Sequence, residues 1–289
     1  MEAAAFFIKR TKSRGAAPPA VGSVTVVGME EEPFERVLGK QVGSIVRQRA
    51  EKEGVAFHMR DTVTEFVAAE EDESAVAELE LRSGTVLPAD IVIIGAGIIP
   101  ATAWLEGAEG ITTAEPRQGG GVICDEFLTA HASGDIYVAG DVAHFPFAHS
   151  KGPETASLRI EHYDVAMDHG RIAARNMLGK RVAYDVVPFF WTGLFGMSVR
   201  YAGHARRITD TIWHGTPDAQ LGGKPVFTAY YVTDDHITGV VTVNDDPKAV
   251  ACLELFRAGA MPSPEEVRSA ASFDPVEALK AISARAGGD

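Results

Sequence analysis

Asp135-Ile136-Tyr137-Val138-Ala139-Gly140-Asp141, followed by a helical pattern from about Arg159 to Leu178, is the stretch on which the fold turns. Its β-branched and aromatic residues read as a strand that ends on Gly-Asp. Open α/β sheets bind ligands at the carboxyl edge of their strands, so Asp141 would stand where a ligand sits. Gly140 would let that ligand approach the backbone closely. The Asp141 carboxylate can accept hydrogen bonds from sugar or polyol hydroxyls, each worth about 1.5–3 kcal/mol. The following helix would carry Val165, Ile172, Ala173 and Met177 on its inner face and stop at Gly179. Its N-terminus would favour negative charge at the same edge. On pattern alone, Asp141 as a simple turn cap remains open.

Upstream of this stretch, Met1 to Arg10 reads as a helix, with Ala4, Phe7 and Ile8 at helical spacing and Lys9, Arg10 and Lys12 near its end. Residues 14–19, Arg-Gly-Ala-Ala-Pro-Pro, break it. Ser23 to Val27 reads as a strand. Phe34, Val37, Leu38, Ile45 and Val46 then give an amphipathic helix from Pro33 to near Gly54. Val55 to Phe57 is a further strand. Val63–Ala69 and Ala75–Arg82 form a hairpin or meander closed by Ser83-Gly84, and Asp90 to Ile94 reads as a strand running into Gly95-Ala-Gly97. Strand, helix, strand, meander, strand is the back half of a nucleotide-binding α/β unit. Its front half, a strand and a glycine-rich turn, would precede Met1.

Downstream, Val122 to Cys124 reads as a strand. The segments 189–191, 198–201, 226–232 and 237–243 read as an antiparallel sheet, closed by helices at 248–258 and 264–271. Within the 289 residues the formal net charge is −13, which repels nucleic acid and anionic lipid, so neither is an expected partner. No apolar run reaches the ~18–20 residues of a membrane helix. Cys124 and Cys252 form no CxxC pair, so no dithiol centre or cysteine zinc site is expected, and both read as buried thiols. Among the nine histidines none forms a ligand pair with zinc spacing, so no metal is expected. Gly119-Gly120-Gly121 precedes no helix and reads as a flexible turn, not a phosphate loop.

The same residues carry a resemblance. The Asp141 segment is similar to the second flavin-binding motif of the FAD-dependent pyridine nucleotide-disulfide oxidoreductase superfamily. Within it the chain resembles the ferredoxin reductase and apoptosis-inducing factor branch, with its Rieske-associated homologues. Val24 to Glu30 with Pro33 to Gly39 resembles the NADH-domain strand and helix. Ala89 to Pro100 resembles the strand that returns to the flavin domain. Arg159-Ile-Glu161-His162-Tyr163 resembles the segment opening the flavin-side helix. Val187 to Thr192 and Val241 to Pro247 resemble the first and last strands of the C-terminal interface domain.

The resemblance implies an α/β fold: partial Rossmann-like, three-layer nucleotide-binding domains at 1–99, for NAD(P)H, and 100–185, for FAD. A C-terminal α+β reductase interface domain would follow at 186–289. It implies that Asp141 and Gly140 bind the ribityl chain of FAD. Glu161, His162 and Tyr163 would lie beside the isoalloxazine ring, and Trp191 would stack near it, although Trp191 also suits an ordinary core. Glu30 would accept from the adenosine ribose of NADH, with Arg36 close by and Gly97 lining the cleft. For Glu30 the alternative is an acidic run, Glu30-Glu31-Glu32, that only stabilises a helix start. No residue of the protein is assigned a covalent or acid–base role, because the cofactor carries the redox step.

The implied activity is an NAD(P)H-dependent FAD oxidoreductase passing electrons to a ferredoxin-like or Rieske acceptor. The alternative is a catalytically inactive remnant, because both GxGxxG loops of the family would fall before Met1. Uncovered sheet edges would then favour oligomers. The expected compartment is the cytoplasm, or the mitochondrion if a longer N-terminus exists.

Overall fold

A computed structural model describes residues 1–11, 21–149, 157–221, 224–269 and 273–286. The expected breaker at 14–19 and Lys12 lie outside them. The chain forms two compact units. One comprises residues 1–96, 192–199 and 216–226; the other comprises 97–191, 200–215 and 227–289.

The first unit begins with α1 (Glu2–Thr11), which buries Ala4, Ala5 and Ile8. Strand β1 (Thr25–Gly28) leads to α2 (Glu35–Lys52) and β2 (Ala56–Met59). Strands β1 and β2 pair in parallel, Thr25 opposite Ala56 and Gly28 opposite Met59. Helix α2 kinks at Gly39 and buries Leu38, Val42, Val46 and Ala50. Val37, expected on that face, is exposed, because the kink resets the helical phase after the first turn. Gly43 lies against residue 33, where a Cβ would come within 2.4 Å of the Pro33 carbonyl oxygen. Strands β3 (Val63–Ala69) and β4 (Asp72–Leu81) form the expected hairpin, and β5 (Val86–Pro88) extends it to a three-stranded meander.

The strand expected at Asp90–Ile94 is not formed. Residues 90–100 have no regular structure, and Ile91, Ile93, Ile94, Ile98 and Ile99 are exposed. A run apolar on both faces is stable as a strand only between neighbouring strands. None of the described strands pairs with it.

In the second unit, β6 (Val122–Ile123) pairs in parallel with β7 (Ala143–Pro146), and β7 pairs antiparallel with β8 (Ser157–Leu158). Helix α3 (Tyr163–Met177) packs its Val165 and Ala173 into a core with Val122, Leu128, Phe145, Leu158 and Tyr184. Each Val, Leu or Phe side chain in it contributes roughly 1.5–3 kcal/mol when fully buried. Helix α3 starts four residues later than the sequence pattern predicts, because residues 159–161 have no regular structure and His162, extended, is its N-cap. Met177 is exposed; His169 and Asn176 take the buried positions instead. Asn176 explains its own burial: its amide donates to the Phe127 and Val182 carbonyls at 2.8 Å and accepts from Val182 N–H.

The C-terminal strands are β9 (Phe189–Leu194), β10 (Met197–Gly203), β11 (Asp210–Leu221), β12 (Lys224–Thr233) and β13 (His236–Val243). They hydrogen-bond in the order β11-β12-β13-β10-β9. Helices α4 (Asp246–Arg257), α5 (Pro264–Ser269) and α6 (Pro275–Ala286) complete the chain. Tyr230, Val232, Ile237, Val240, Cys252 and Val267 form one core across strands and helices. Strands β5, β7, β8 and β11 and helix α6 add to the elements expected from the sequence.

Candidate functional site

Residues 135–139 are extended but not a regular strand. Tyr137 forms a single bridge with Thr129, and Val138 N–H donates to the Leu128 carbonyl at 3.0 Å. Among the described residues only the short segment 128–130 pairs with it, so no full ladder forms there. The chain then tightens into a 3₁₀ turn at Gly140–Val142 and enters β7.

Gly140 has φ +76°, a conformation that favours glycine. It packs on the first turn of α3, where a Cβ would sit 3.5 Å from Ala166 Cβ. Its N–H donates to His169 Nδ1 at 3.3 Å. Asp141, next along, is exposed. Its charge acts on His162, the N-cap of α3, whose Nδ1 accepts from Asp164 N–H at 3.3 Å. Burial lowers the His162 pKa, and the carboxylates of Asp164 and Asp141 oppose that shift less strongly.

Aromatic rings gather at the same helix end. His162 lies 4.2 Å from Phe190 and 4.8 Å from Tyr163, and Tyr163 meets Trp191 edge-on at 6.1 Å. Tyr163 and Trp191 are each more than half exposed, so their faces are open to a ligand. Burial, then the neighbouring Asp164, raises the Tyr163 pKa, so its hydroxyl keeps its proton.

Arg159 ties the site together. Its side chain is only 8% exposed. It donates to the Gly119 carbonyl at 2.8 Å, to the Asp141 carbonyl at 2.8 Å and to Glu161 Oε1 at 2.5 Å. The three glycines, expected as a flexible turn, are instead closely held. His144 Nδ1 donates to the Gly120 carbonyl at 3.1 Å, and at Gly121 a Cβ would lie 2.6 Å from the Val142 carbonyl oxygen. Arg159 and His169 also bond to the backbone of this site, and neither has a role assigned from the sequence. The signal for Arg159 is its place two residues before Glu161; for His169 there is none.

The structure thus gathers Gly140, Asp141, Glu161, His162, Tyr163 and Trp191 at one end of α3. Gly97 is not gathered with them by any described contact. It lies in the exposed stretch with open space around its Cα. Glu30 and Arg36 lie in the first unit, just past β1, and pair with each other at 2.8 Å. Neighbouring Glu31 pairs with Lys40 and Arg60, and those two bonds hold its carboxyl below the ordinary range. Both cysteines are buried and free, and burial pushes the Cys124 thiol up to about 12. Neither is a thiolate nucleophile at neutral pH.

This donor set fits the ring and ribityl end of a flavin: an exposed carboxylate, a helix N-terminus and open aromatic faces. A pyrophosphate fits less well, since the sequence contains no GxGxxG turn leading into a helix.

Fold and site together define an α/β chain with a C-terminal α+β part. The profile of the pyridine nucleotide-disulphide oxidoreductase family matches residues 1–170, and a reductase C-terminal profile matches residues 189–283. The chain belongs to the pyridine nucleotide-disulphide oxidoreductase family. It is 33% identical over 237 residues to apoptosis-inducing factor 3 of Mus musculus, covering 82% of this chain and 36% of that protein. It is 28% identical over 224 residues to the ferredoxin reductase subunit of a Sphingobium 5,5'-dehydrodivanillate O-demethylase, covering 76% and 50%. In fold it is similar to the ferredoxin reductase of the CYP199A2 system from Rhodopseudomonas palustris, with TM-score 0.73, 23% identity and coverage of 90% and 58%. Putidaredoxin reductase in its covalent complex with putidaredoxin gives TM-score 0.74 at 23% identity, covering 92% and 58%. The chain therefore spans about a third to a half of those two curated relatives.

Proposed function

We propose that this chain serves an NAD(P)H-dependent FAD reductase that delivers electrons to a ferredoxin-like or Rieske iron–sulfur protein. The observation that carries the reading is the Asp141 carboxylate at the N-terminal end of α3, beside His162, Tyr163 and Trp191. When bound, FAD would supply the redox chemistry, accepting a hydride and releasing electrons singly. The protein's part is to hold and orient. Asp141 accepts hydrogen bonds from ribityl hydroxyls. The N-terminal N–H groups of α3 favour negative charge on the ring. With Nδ1 occupied by Asp164 N–H, His162 has Nε2 left to donate. Trp191 offers a face for the ring to lie on. In the first unit, Glu30 accepts from the adenosine ribose, held in place by Arg36, and its charge disfavours a 2′-phosphate, hence NADH over NADPH. An iron–sulfur acceptor is supported by the ferredoxin reductase names among the relatives.

Purification with FAD tests the reading. A yellow protein that oxidises NADH faster than NADPH and reduces an added ferredoxin supports it. A protein that stays colourless after FAD addition supports the inactive remnant.

A further inference from the structure

His169 lies in the second turn of α3 and is fully buried. The rings of Phe145 and Tyr184 meet it edge-on at 4.6 and 4.4 Å. An imidazole in such surroundings carries a desolvation cost that leucine would not. Nε2 finds no partner among the described residues, so the described hydrogen bond that answers this cost is the one at Nδ1. There it accepts the backbone N–H of Gly140, the residue before Asp141. Accepting at Nδ1 requires the neutral tautomer with its proton on Nε2. Burial favours that neutral form, lowering the His169 pKa to about 4.

The Gly140–Asp141 turn is thus held at three points. Ala166 supports it from α3, Arg159 takes the Asp141 carbonyl, and His169 takes the Gly140 N–H. The first is a packing contact, and the second fixes the carbonyl side of the turn. The third fixes the Ala139–Gly140 peptide plane, one residue before Asp141. We propose that His169 is a positioning residue: by holding the Gly140 N–H from beneath, it sets where the Asp141 carboxylate stands and so the affinity for the ribityl chain of a flavin. The flavin part of this proposal rests on the function proposed above.

Three measurements on the full 289-residue chain test it. The ¹⁵N shifts of His169 report its tautomer, and a proton on Nδ1 instead of Nε2 overturns the proposal. Amide hydrogen exchange at Gly140, without FAD, is expected to speed up about tenfold in His169→Leu, the loss of one hydrogen bond. His169→Asn, whose Oδ1 can stand in for Nδ1, is expected to stay within about threefold. FAD titration by flavin fluorescence is expected to follow the same order, about tenfold weaker in His169→Leu and largely restored in His169→Asn. Equal impairment of both variants, or unchanged exchange in a folded His169→Leu, overturns the proposal. If the unsubstituted chain takes up no FAD, the flavin reading fails by itself, and Gly140 exchange still decides the role of His169.

Discussion

Gly121→Ala should damage the candidate site more than substitution at the glycine beside it. Gly121 has φ +90°, and a Cβ there would lie 2.6 Å from the Val142 carbonyl oxygen and 3.0 Å from Arg159 Cδ. An L-residue at positive φ costs about 1–2 kcal/mol. Overlap with a backbone oxygen, which cannot swing aside, adds about 1–3 kcal/mol. The expected destabilisation is therefore about 2–5 kcal/mol. Gly120 supplies the control. Its φ is +66°, but a Cβ there would meet only Pro100 Cγ at 3.5 Å, an ordinary contact. Gly120→Ala should cost only the backbone part, about 1–2 kcal/mol. Urea unfolding followed by circular dichroism measures both variants. Because the displaced atoms belong to Val142 and Arg159, next to and bonded to Asp141, Gly121→Ala should also weaken FAD binding. Equal unfolding midpoints for the two variants would refute the packing argument.

Arg159→Met removes three bonds from a nearly buried guanidinium and should cost about 2–4 kcal/mol in urea unfolding, with weaker FAD binding; a change below about 1 kcal/mol would mean the three carbonyl and carboxylate partners are satisfied without it. Burial lowers the pKa of His169 and His204 to about 4, helped at His204 by Arg206, whereas the unfolded chain takes up these protons near 6.5. Their stabilisation is complete above pH 6.5 and is lost as pH falls toward 4, about 1–2 kcal/mol per ring by pH 5, so urea midpoints should drop between pH 7.5 and 5, before most carboxylates titrate. Glu30→Gln should leave stability within about 0.5 kcal/mol, since Arg36, its ion-pair partner, is largely exposed. The same change should weaken NADH binding more than NADPH binding, measured by titration of each nucleotide.

Helices and strands whose periodicity is local are legible in the sequence. Helix α1 shows its Ala4 and Ile8 spacing, the β3–β4 meander its alternation, and β12 and β13 their aromatic and β-branched runs. Elements that depend on neighbours are not. Asp90–Ile94 has strand composition but no described strand to pair with, and 135–139 has one short neighbour. At Val37 the apolar pattern misplaces the buried face of α2, because a single glycine kink shifts it. At the site, Asp141, His162 and Trp191 can be picked out because their residue types fit their motif positions. The parts played by Arg159 and His169 are not legible in that way, because they act on backbone groups of Gly119, Gly140 and Asp141, 18 to 40 residues away; Arg159 stands inside a quoted motif, but the motif does not record those partners.

The most direct test of the central claim is a flavin titration comparing the unsubstituted chain with Asp141→Asn, using both FAD and riboflavin. A carboxylate holding the ribityl arm should bind both, and the substitution should weaken both by about tenfold, the difference between a charged and a neutral acceptor. Riboflavin affinity unchanged by Asp141→Asn would contradict it.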